Sequence, residues 1–385
     1  MRRLSSLVLP KKTTSVQTIV PNLAACSRSI NTTSPYRENY GPIGRSSNSG
    51  ITATVFGCNG FLGSYMMSEL GACGSTVYAP FRGCELEVRH LKPMFDLGNL
   101  GLYPYSIRDE TSCKKSLHRS NVVINMVGKF HETKHIVPTR RSTGELSRVN
   151  FSYEDMNVTF PRQLARAAKQ AGVETFIHVS SLSASPDSSS AFSRSKFRGE
   201  LAVLEEFPNA IIIRPGTLFG PEDRFLNPIA KAIVQFEKFF LLNNGRNLMQ
   251  PTYVADVTEA IMQVIRRNEE FKGKTLHLAG PAEYSYKEVV EFVADIINVN
   301  VDLYDTPPQL ALLAGHIYNQ LPFPSFTADT MARISEDTYI KESEASKLLT
   351  FANLGMEPSS MDRVAFNYLY AYRPGGHFTE TSGYH

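Results

Sequence analysis

The sequence predicts an α/β fold: a doubly wound parallel sheet with a smaller, irregular C-terminal lobe. Three observations predict it. Apolar runs and helical stretches alternate from residue 51 to about residue 214. The apolar runs are continuous, as in strands covered on both faces of a sheet. The first run leads through three glycines spaced three apart into a helical stretch, the order of a strand, a tight turn and a closely packed helix.

The elements follow in order. Residues 51–56 (ITATVF) read as a buried strand and 61–70 as the helix after the glycine loop. Residues 76–79 are a second strand and 103–107 a third. After a helical stretch at 111–120, residues 122–127 are a fourth strand. The stretch 155–172 is helical and closes at Gly172, a common helix stop. Residues 176–179 are a fifth strand, 195–206 a helix and 210–213 a sixth strand. Beyond Arg214 the pattern loosens into helical stretches at 227–240, 256–267 and 286–297, with short strands at 275–278 and 301–304. The stretch from Pro307 to Pro324 is apolar, aromatic and bounded by prolines, and is assigned to the smaller lobe. The chain thus divides into 1–30, a targeting segment; 31–50, a Ser-, Asn-, Gly- and Pro-rich linker; 51–226, a nucleotide-binding domain; 227–372, the remainder of the fold with its smaller lobe; and 373–385, an extended tail.

At 385 residues, 42% apolar and 20% charged, the chain can bury a large core. The composition excludes disordered, collagenous and disulfide-scaffold classes. No run reaches the roughly 18 uncharged apolar residues of a spanning helix. The net charge of +3 is uneven. Arg2, Arg3, Lys11, Lys12 and Arg28 precede the first acidic residue, Glu38, so the body beyond residue 30 carries about −2. A near-neutral body argues against nucleic-acid binding. The basic, Ser/Thr-rich, acid-free segment 1–30 has the composition of a mitochondrial transit peptide, with a plastid address as its rival. Five cysteines (Cys26, Cys58, Cys73, Cys84 and Cys113) form no C-x-x-C pair and no zinc-type cluster. Cys26 lies in the targeting segment, the other four are expected to stay reduced, as in a matrix protein, and no metal centre is expected.

The segment Gly57-Cys58-Asn59-Gly60-Phe61-Leu62-Gly63 carries the functional expectation. The first glycine permits the turn, the second lets the backbone approach a pyrophosphate, and the third lets helix and strand pack closely. Amide groups at the helix start and the positive end of its dipole then hold the anion. This predicts a Rossmann-type dinucleotide site. An NAD site usually has a carboxylate at the end of the second strand, whereas here the run is Tyr78-Ala79-Pro80-Phe81-Arg82. A guanidinium there suits a 2′-phosphate, so NADPH is expected.

Further motifs accumulate in order: Asn125-Met126-Val127-Gly128, Val179-Ser180-Ser181, Arg214-Pro215-Gly216 with Gly220, and Tyr253-Val254-Ala255-Asp256-Val257. Together with the glycine loop they resemble an extended or atypical short-chain dehydrogenase/reductase (SDR) over about residues 51–300. The stretches 120–125 (SNVVIN), 176–180 (FIHVS) and 220–227 (GPEDRFLN) resemble more closely the NADPH-binding, dehydrogenase-like accessory subunits of mitochondrial respiratory complex I. That resemblance implies a structural or assembly role, with NADPH held tightly and no turnover. It also implies a peripheral position on the matrix side of the inner membrane, with other subunits of complex I as partners. The cofactor-binding residues it carries over are Gly57, Asn59, Gly60, Phe61, Leu62, Gly63, Arg82, Asn125, Val127, Gly128, Ser180, Ser181, Lys196, Pro215 and Gly216.

Such reductases use a Tyr, a Lys four residues on and a hydroxyl at a strand end. The phenol carries the proton, and the ammonium lowers its pKa and holds the ribose. Here Lys196 and Ser181 match, but the Tyr position is Phe192. A phenyl ring has no proton to give, and acid–base catalysis is worth about 10²–10⁴ in rate. A chain without reductase turnover, and without catalytic residues, is therefore expected. The alternative is a stand-alone NADP-dependent reductase or epimerase with another acid, and a third reading is a redox-sensing or RNA-associated binding module. His178 reads as a hydrogen-bonded core residue, and His131, Glu132 and His135 as a solvated loop. Asp155 and Asn157 are expected to cap a helix, and Asn157 also matches a family position that braces the sheet. For Glu222-Asp223-Arg224 the sequence leaves internal pairing and a partner surface both open.

Overall fold

The computed structural model describes residues 48–132, 137–140, 146–149, 151–307, 310, 315, 327–341 and 347–373. The targeting segment, almost all of the linker, most of 307–324, His135 and all but the first residue of the tail lie outside the described residues. Among the described residues no helix is long and apolar enough to cross a membrane.

Apolar runs form the predicted central strands: β1 Thr52–Phe56, β2 Thr76–Phe81, β3 Leu100–Pro104 and β4 Val122–Asn125. A two-stranded antiparallel hairpin follows, β5 Val137–Arg140 and β6 Leu146–Val149. Then come β7 Thr175–Val179 and β8 Ile211–Pro215. Short pairs mark the C-terminal half: β9 Leu218–Phe219, β10 Lys238–Leu242, β11 Leu248–Met249 and β12 Thr252–Tyr253. The strands end with β13 Thr275–Leu278, β14 Tyr284–Ser285 and β15 Asp302–Thr306. The main sheet has the order β13-β8-β7-β4-β1-β2-β3, with every neighbour parallel. Strand order reverses between β1 and β4, and their carboxyl ends flank the crevice where such sheets take ligands.

The helices are α1 Phe61–Ala72, α2 Glu110–Ser116, α3 Phe160–Gln170, α4 Ala191–Glu206, α5 Leu226–Phe236, α6 Val254–Arg266, α7 Asn268–Phe271 and α8 Tyr286–Ile297. Ala53 and Val55 of β1 pack with Met66, Met67, Val257 and Ile261 on one face of the sheet. Phe56, Val123, Phe160, Leu164 and Val203 form the core on the other. This two-sided burial is why the strands are apolar throughout. A third core joins α5, α8 and a late helix, Met361–Leu369, in the C-terminal lobe.

Several boundaries differ from the sequence reading. The third strand lies at 100–104, not 103–107, because Tyr105 and Ile107 leave the sheet to pack in the core with Phe56 and Phe160. The fourth strand ends at Asn125, whose side chain turns back to the Val127 amide. The expected 111–120 helix spans Glu110–Ser116, with Asp109 accepting from the Thr111 amide at its start. The first five residues of the 155–172 stretch form a π-helical turn before α3. Helix α4 begins four residues earlier than expected, at a Ser190 cap. The 227–240 stretch is helical only to Phe236. Glu237 takes a left-handed conformation (φ 53°), and the aromatic run after it becomes β10, paired with β15.

Candidate cofactor site

The glycine loop joins the end of β1 to α1 beside the crevice. Gly57 has φ +87°, and a side chain there would meet the Met126 backbone at 3.0 Å. The Gly60 amide donates to Gly57 O at 3.0 Å and closes the turn. Gly60 begins α1 with no side-chain cap, so no side chain competes for that helix start. A Cβ on Gly63 would collide with Gly57 O and come within 2.9 Å of the Cys58 backbone. Asn59, Phe61 and Leu62 complete the loop. The loop thus forms a backbone cradle at a helix N-terminus, which can hold a pyrophosphate.

Across the crevice, β4 ends in Asn125, and residues 126–128 run along the opposite side. The Asn125 side chain is engaged inward: its Oδ1 accepts from the Val127 amide at 3.1 Å, and its Nδ2 donates to His178 Nδ1 at 3.1 Å. Asn125 therefore shapes the wall through Val127 and Gly128. His178 is fully buried and neutral, its pKa pulled down to about 3 by burial and then by the Lys196 charge. The expectation of a core histidine holds.

Lys196 lies on α4 with 5% of its surface exposed. Its Nζ donates to Val179 O at 3.3 Å, and a methyl group at Gly128 would sit 3.2 Å from that nitrogen. Burial lowers its pKa to about 8, against a raising effect of Glu200. Glu200 is committed elsewhere: both carboxylate oxygens accept from Arg214, in a pair 18% and 5% exposed. The buried ammonium beside Gly128 can hold sugar hydroxyls. The next residue after Val179 adds to the fit: the Ser180 hydroxyl is buried with no hydrogen-bond partner among the described residues. Ser181 Oγ lies 2.9 Å from Ser183 Oγ, which accepts from Ser193 Oγ at 3.2 Å. Pro215 and Gly216, at the end of β8, are engaged in internal bonds, with Pro215 O accepting from the Leu182 amide and the Gly216 amide donating to Leu278 O.

At the Tyr position, Phe192 is 4% exposed. Its ring stacks on Phe130 at 5.7 Å and meets Tyr153 edge-on at 6.0 Å. The Tyr153 hydroxyl donates to Phe130 O, and burial followed by the Asp329 charge pushes its pKa far up. Arg333, on a seven-residue helix Ala328–Ile334, sets its guanidinium 5.1 Å from the Phe192 ring and 5.2 Å from Phe130. Two carboxylates pin that segment to the start of α4. Asp329 accepts from the Ala191 amide and from Ser190 Oγ, and Glu336 accepts from the Ser188 and Ser189 hydroxyls. Sequence reasoning missed Phe130, Tyr153 and Arg333. They lie up to 141 positions from Phe192 in the chain, in no periodic pattern.

Other expectations also meet their surroundings. The cap at this helix start is Ser152 rather than the expected Asp155: Ser152 Oγ accepts from the Asp155 amide, and the Asp155 carboxylate accepts from the Ser152 amide in return, from the first turn. Asn157 is not a cap either: it is buried inside the π turn, and its Nδ2 donates to Ser195 Oγ at 2.8 Å, linking the turn to α4. Asp223 turns inward and accepts from the Gly220 and Asn227 amides and the Tyr368 hydroxyl, while Glu222 and Arg224 stay exposed. Glu132 accepts from the Tyr153 amide, so this part of the loop is anchored to the aromatic cluster.

Residues 53–279 match the model of the NAD dependent epimerase/dehydratase family. The chain belongs to that family. Within it, the chain is 37% identical over 361 residues to "NADH dehydrogenase [ubiquinone] 1 alpha subcomplex subunit 9, mitochondrial" of Rattus norvegicus, covering 92% of this chain and 90% of the relative. The protein of that name in Arabidopsis thaliana is 36% identical, covering 87% and 81%. "NADH-ubiquinone oxidoreductase 40 kDa subunit, mitochondrial" of Neurospora crassa is 35% identical, covering 87% and 83%. The chain is thus a member of the subunit 9 branch of the family, an atypical SDR as its motifs suggested. Among solved structures, a UDP-glucuronic acid 4-epimerase from Bacillus cereus in complex with NAD aligns with TM-score 0.60 at 15% identity, over 84% of this chain and 99% of that one. A dTDP-glucose 4,6-dehydratase from Streptomyces venezuelae with NAD and TYD bound aligns at 0.59 and 16%, over 84% and 97%. Both share the extended fold.

Proposed function

We propose that this chain is an accessory subunit of mitochondrial complex I, peripheral on the matrix side of the inner membrane. It holds NADPH as a structural cofactor and supports assembly without turning it over. One observation carries the reading: a complete glycine cradle and a buried Lys196 surround a site whose acid position is the phenyl ring of Phe192. The cradle of residues 57–63 takes the pyrophosphate, Lys196 and Ser180 the sugar side, and Arg82 the 2′-phosphate. Val127, Gly128, Ser181, Pro215 and Gly216 line the remaining walls. The near full-length likeness to subunits of the respiratory enzyme supports the assembly role. Ligand binding to the folded state alone stabilises it, by about 2.7 kcal/mol at a hundredfold excess over Kd.

Native fractionation of mitochondria tests this reading, followed by mass spectrometry of the released dinucleotide. The chain is expected to co-migrate with NADH dehydrogenase activity and to release NADPH. Migration apart from that activity, or equal melting of the apo and NADPH-loaded chain, overturns it. The retention of Lys196 and Ser181 favours a second reading, a stand-alone NADP-dependent reductase or epimerase. Steady NADPH oxidation with a carbonyl substrate, abolished by Lys196→Ala, would establish that instead.

A further inference from the structure

Two arginines meet on one aromatic ring at the adenosine end of the crevice. Arg82 follows β2 and Arg108 follows β3, and these strands are neighbours, with Phe81 opposite Pro104. The Tyr105 amide donates to Phe81 O at 3.0 Å, so the two strand exits leave the sheet together. The Phe151 ring, buried in the same core as Phe56 and Val127, lies within reach of both. The Arg82 guanidinium is 5.5 Å from its centroid and that of Arg108 is 4.8 Å. Both arginines are exposed at the carboxyl edge of the sheet, on the side of the glycine loop.

We propose that Arg108 is a second selectivity residue for the nucleotide, forming with Arg82 a two-guanidinium clamp on Phe151 that grips the 2′-phosphomonoester of NADPH. This rests on the proposed NADPH binding and deepens it. A 2′-phosphate carries close to two negative charges. One guanidinium satisfies one edge of it, whereas two planar forks satisfy all its oxygens and balance its charge. Stacking on one ring fixes both forks before the ligand arrives, so less side-chain freedom is lost on binding. The Arg82 charge also reaches Lys129, whose pKa is pulled down to about 8 by burial and then by Arg82, against a raising effect of Glu132. NAD, with a free 2′-hydroxyl, gains nothing from the second arginine.

The test titrates NADPH and NADH, and separately adenosine 2′,5′-bisphosphate and AMP, into the full chain and its Arg108→Gln and Arg108→Lys variants. Arg108→Gln is expected to weaken NADPH and the bisphosphate about tenfold or more while leaving NADH and AMP within about twofold, the span of one charge-assisted contact. Arg108→Lys, which keeps the charge but loses the fork, is expected to fall between. The salt dependence of NADPH binding should weaken in Arg108→Gln. If wild type prefers NADPH and Arg108→Gln keeps that preference, or weakens all four ligands equally, the clamp is wrong and the NADPH reading stands. If wild type binds NADPH no better than NADH, the NADPH reading fails and the clamp with it. Thermal melting of each ligand-free variant confirms that the folded chain is being compared.

Discussion

Lys196→Met should make the nucleotide-free protein more stable at neutral pH while weakening its hold on the nucleotide. The ammonium is almost wholly buried, and Glu200, the nearest carboxylate along its helix, is bound to Arg214. Holding its pKa at about 8 in the fold, against 10.5 ordinarily, costs about 3 kcal/mol below pH 8. The hydrogen bond to Val179 O returns about 1 kcal/mol of that. An unbranched Met fills the same channel without a charge, so a net gain of about 2 kcal/mol is expected at pH 7. The sign reverses with pH. The folded chain releases this proton near pH 8 and the unfolded chain near 10.5. Wild-type stability therefore rises through that window relative to the variant, and the advantage of Met disappears by its upper end. Urea unfolding of both nucleotide-free proteins at pH 7 and pH 10 measures this, and NADPH titration of each measures the loss of binding. A Met variant less stable than wild type at pH 7, or a difference that ignores pH, would refute the reasoning.

Four further outcomes follow from the same geometry. Gly63→Ala drives a methyl group into the Gly57 and Cys58 backbone; a loss of about 2–3 kcal/mol and weaker NADPH binding are expected, and an unchanged melting temperature contradicts the packing argument. Glu200→Leu strands the Arg214 guanidinium, 18% exposed, and should cost about 3–5 kcal/mol in urea; a loss under 1 kcal/mol means the pair is solvated. His178 stays neutral in the fold to about pH 3 while the unfolded chain takes up a proton near 6.5. Stability should therefore fall by up to about 5 kcal/mol as pH drops through that window, and His178→Phe should flatten the slope whatever it costs at pH 7. Phe192→Tyr should leave NADPH oxidation at baseline with small carbonyl substrates; turnover by that single variant would show the site is open.

What the sequence made legible was what local chemistry dictates. Helix α8 appears at its expected bounds because apolar spacing and the Ser285–Glu288 capping box agree. Strand β13 and the glycine loop were equally plain, one a short alternation of polar and buried apolar residues between glycines and the other a backbone requirement written directly as glycine. The misses have a common cause in long-range pairing. β10 looked helical because Lys238–Leu242 continues the apolar spacing of α5, and only its partner β15, some 60 residues on, makes it a strand. The four two-residue strands β9, β11, β12 and β14 exist only as pairs, and so carry no pattern of their own. The helix bearing Arg333 is held by Asp329 and Glu336 against serines at 188–190, contacts that no local window contains.

The missing phenol and the position of Arg333 bear on each other. A reductase needs an acid beside the nicotinamide and room for a substrate next to that acid. In this chain the acid position carries a ring stacked on Phe130, and a guanidinium lies over both rings. The segment carrying that guanidinium is tied to the first turn of α4, the same helix that carries residues 192 and 196. Any movement that uncovered residue 192 would break charge-assisted bonds to both Asp329 and Glu336, each worth about 1.5–3 kcal/mol. Covering the ring therefore also fixes the start of the helix that presents Lys196 to the crevice. A catalytic site would lose by such an arrangement, since substrates must enter and leave. A site that only retains a nucleotide gains from it, because Lys196 is held in place whether or not anything is being reduced.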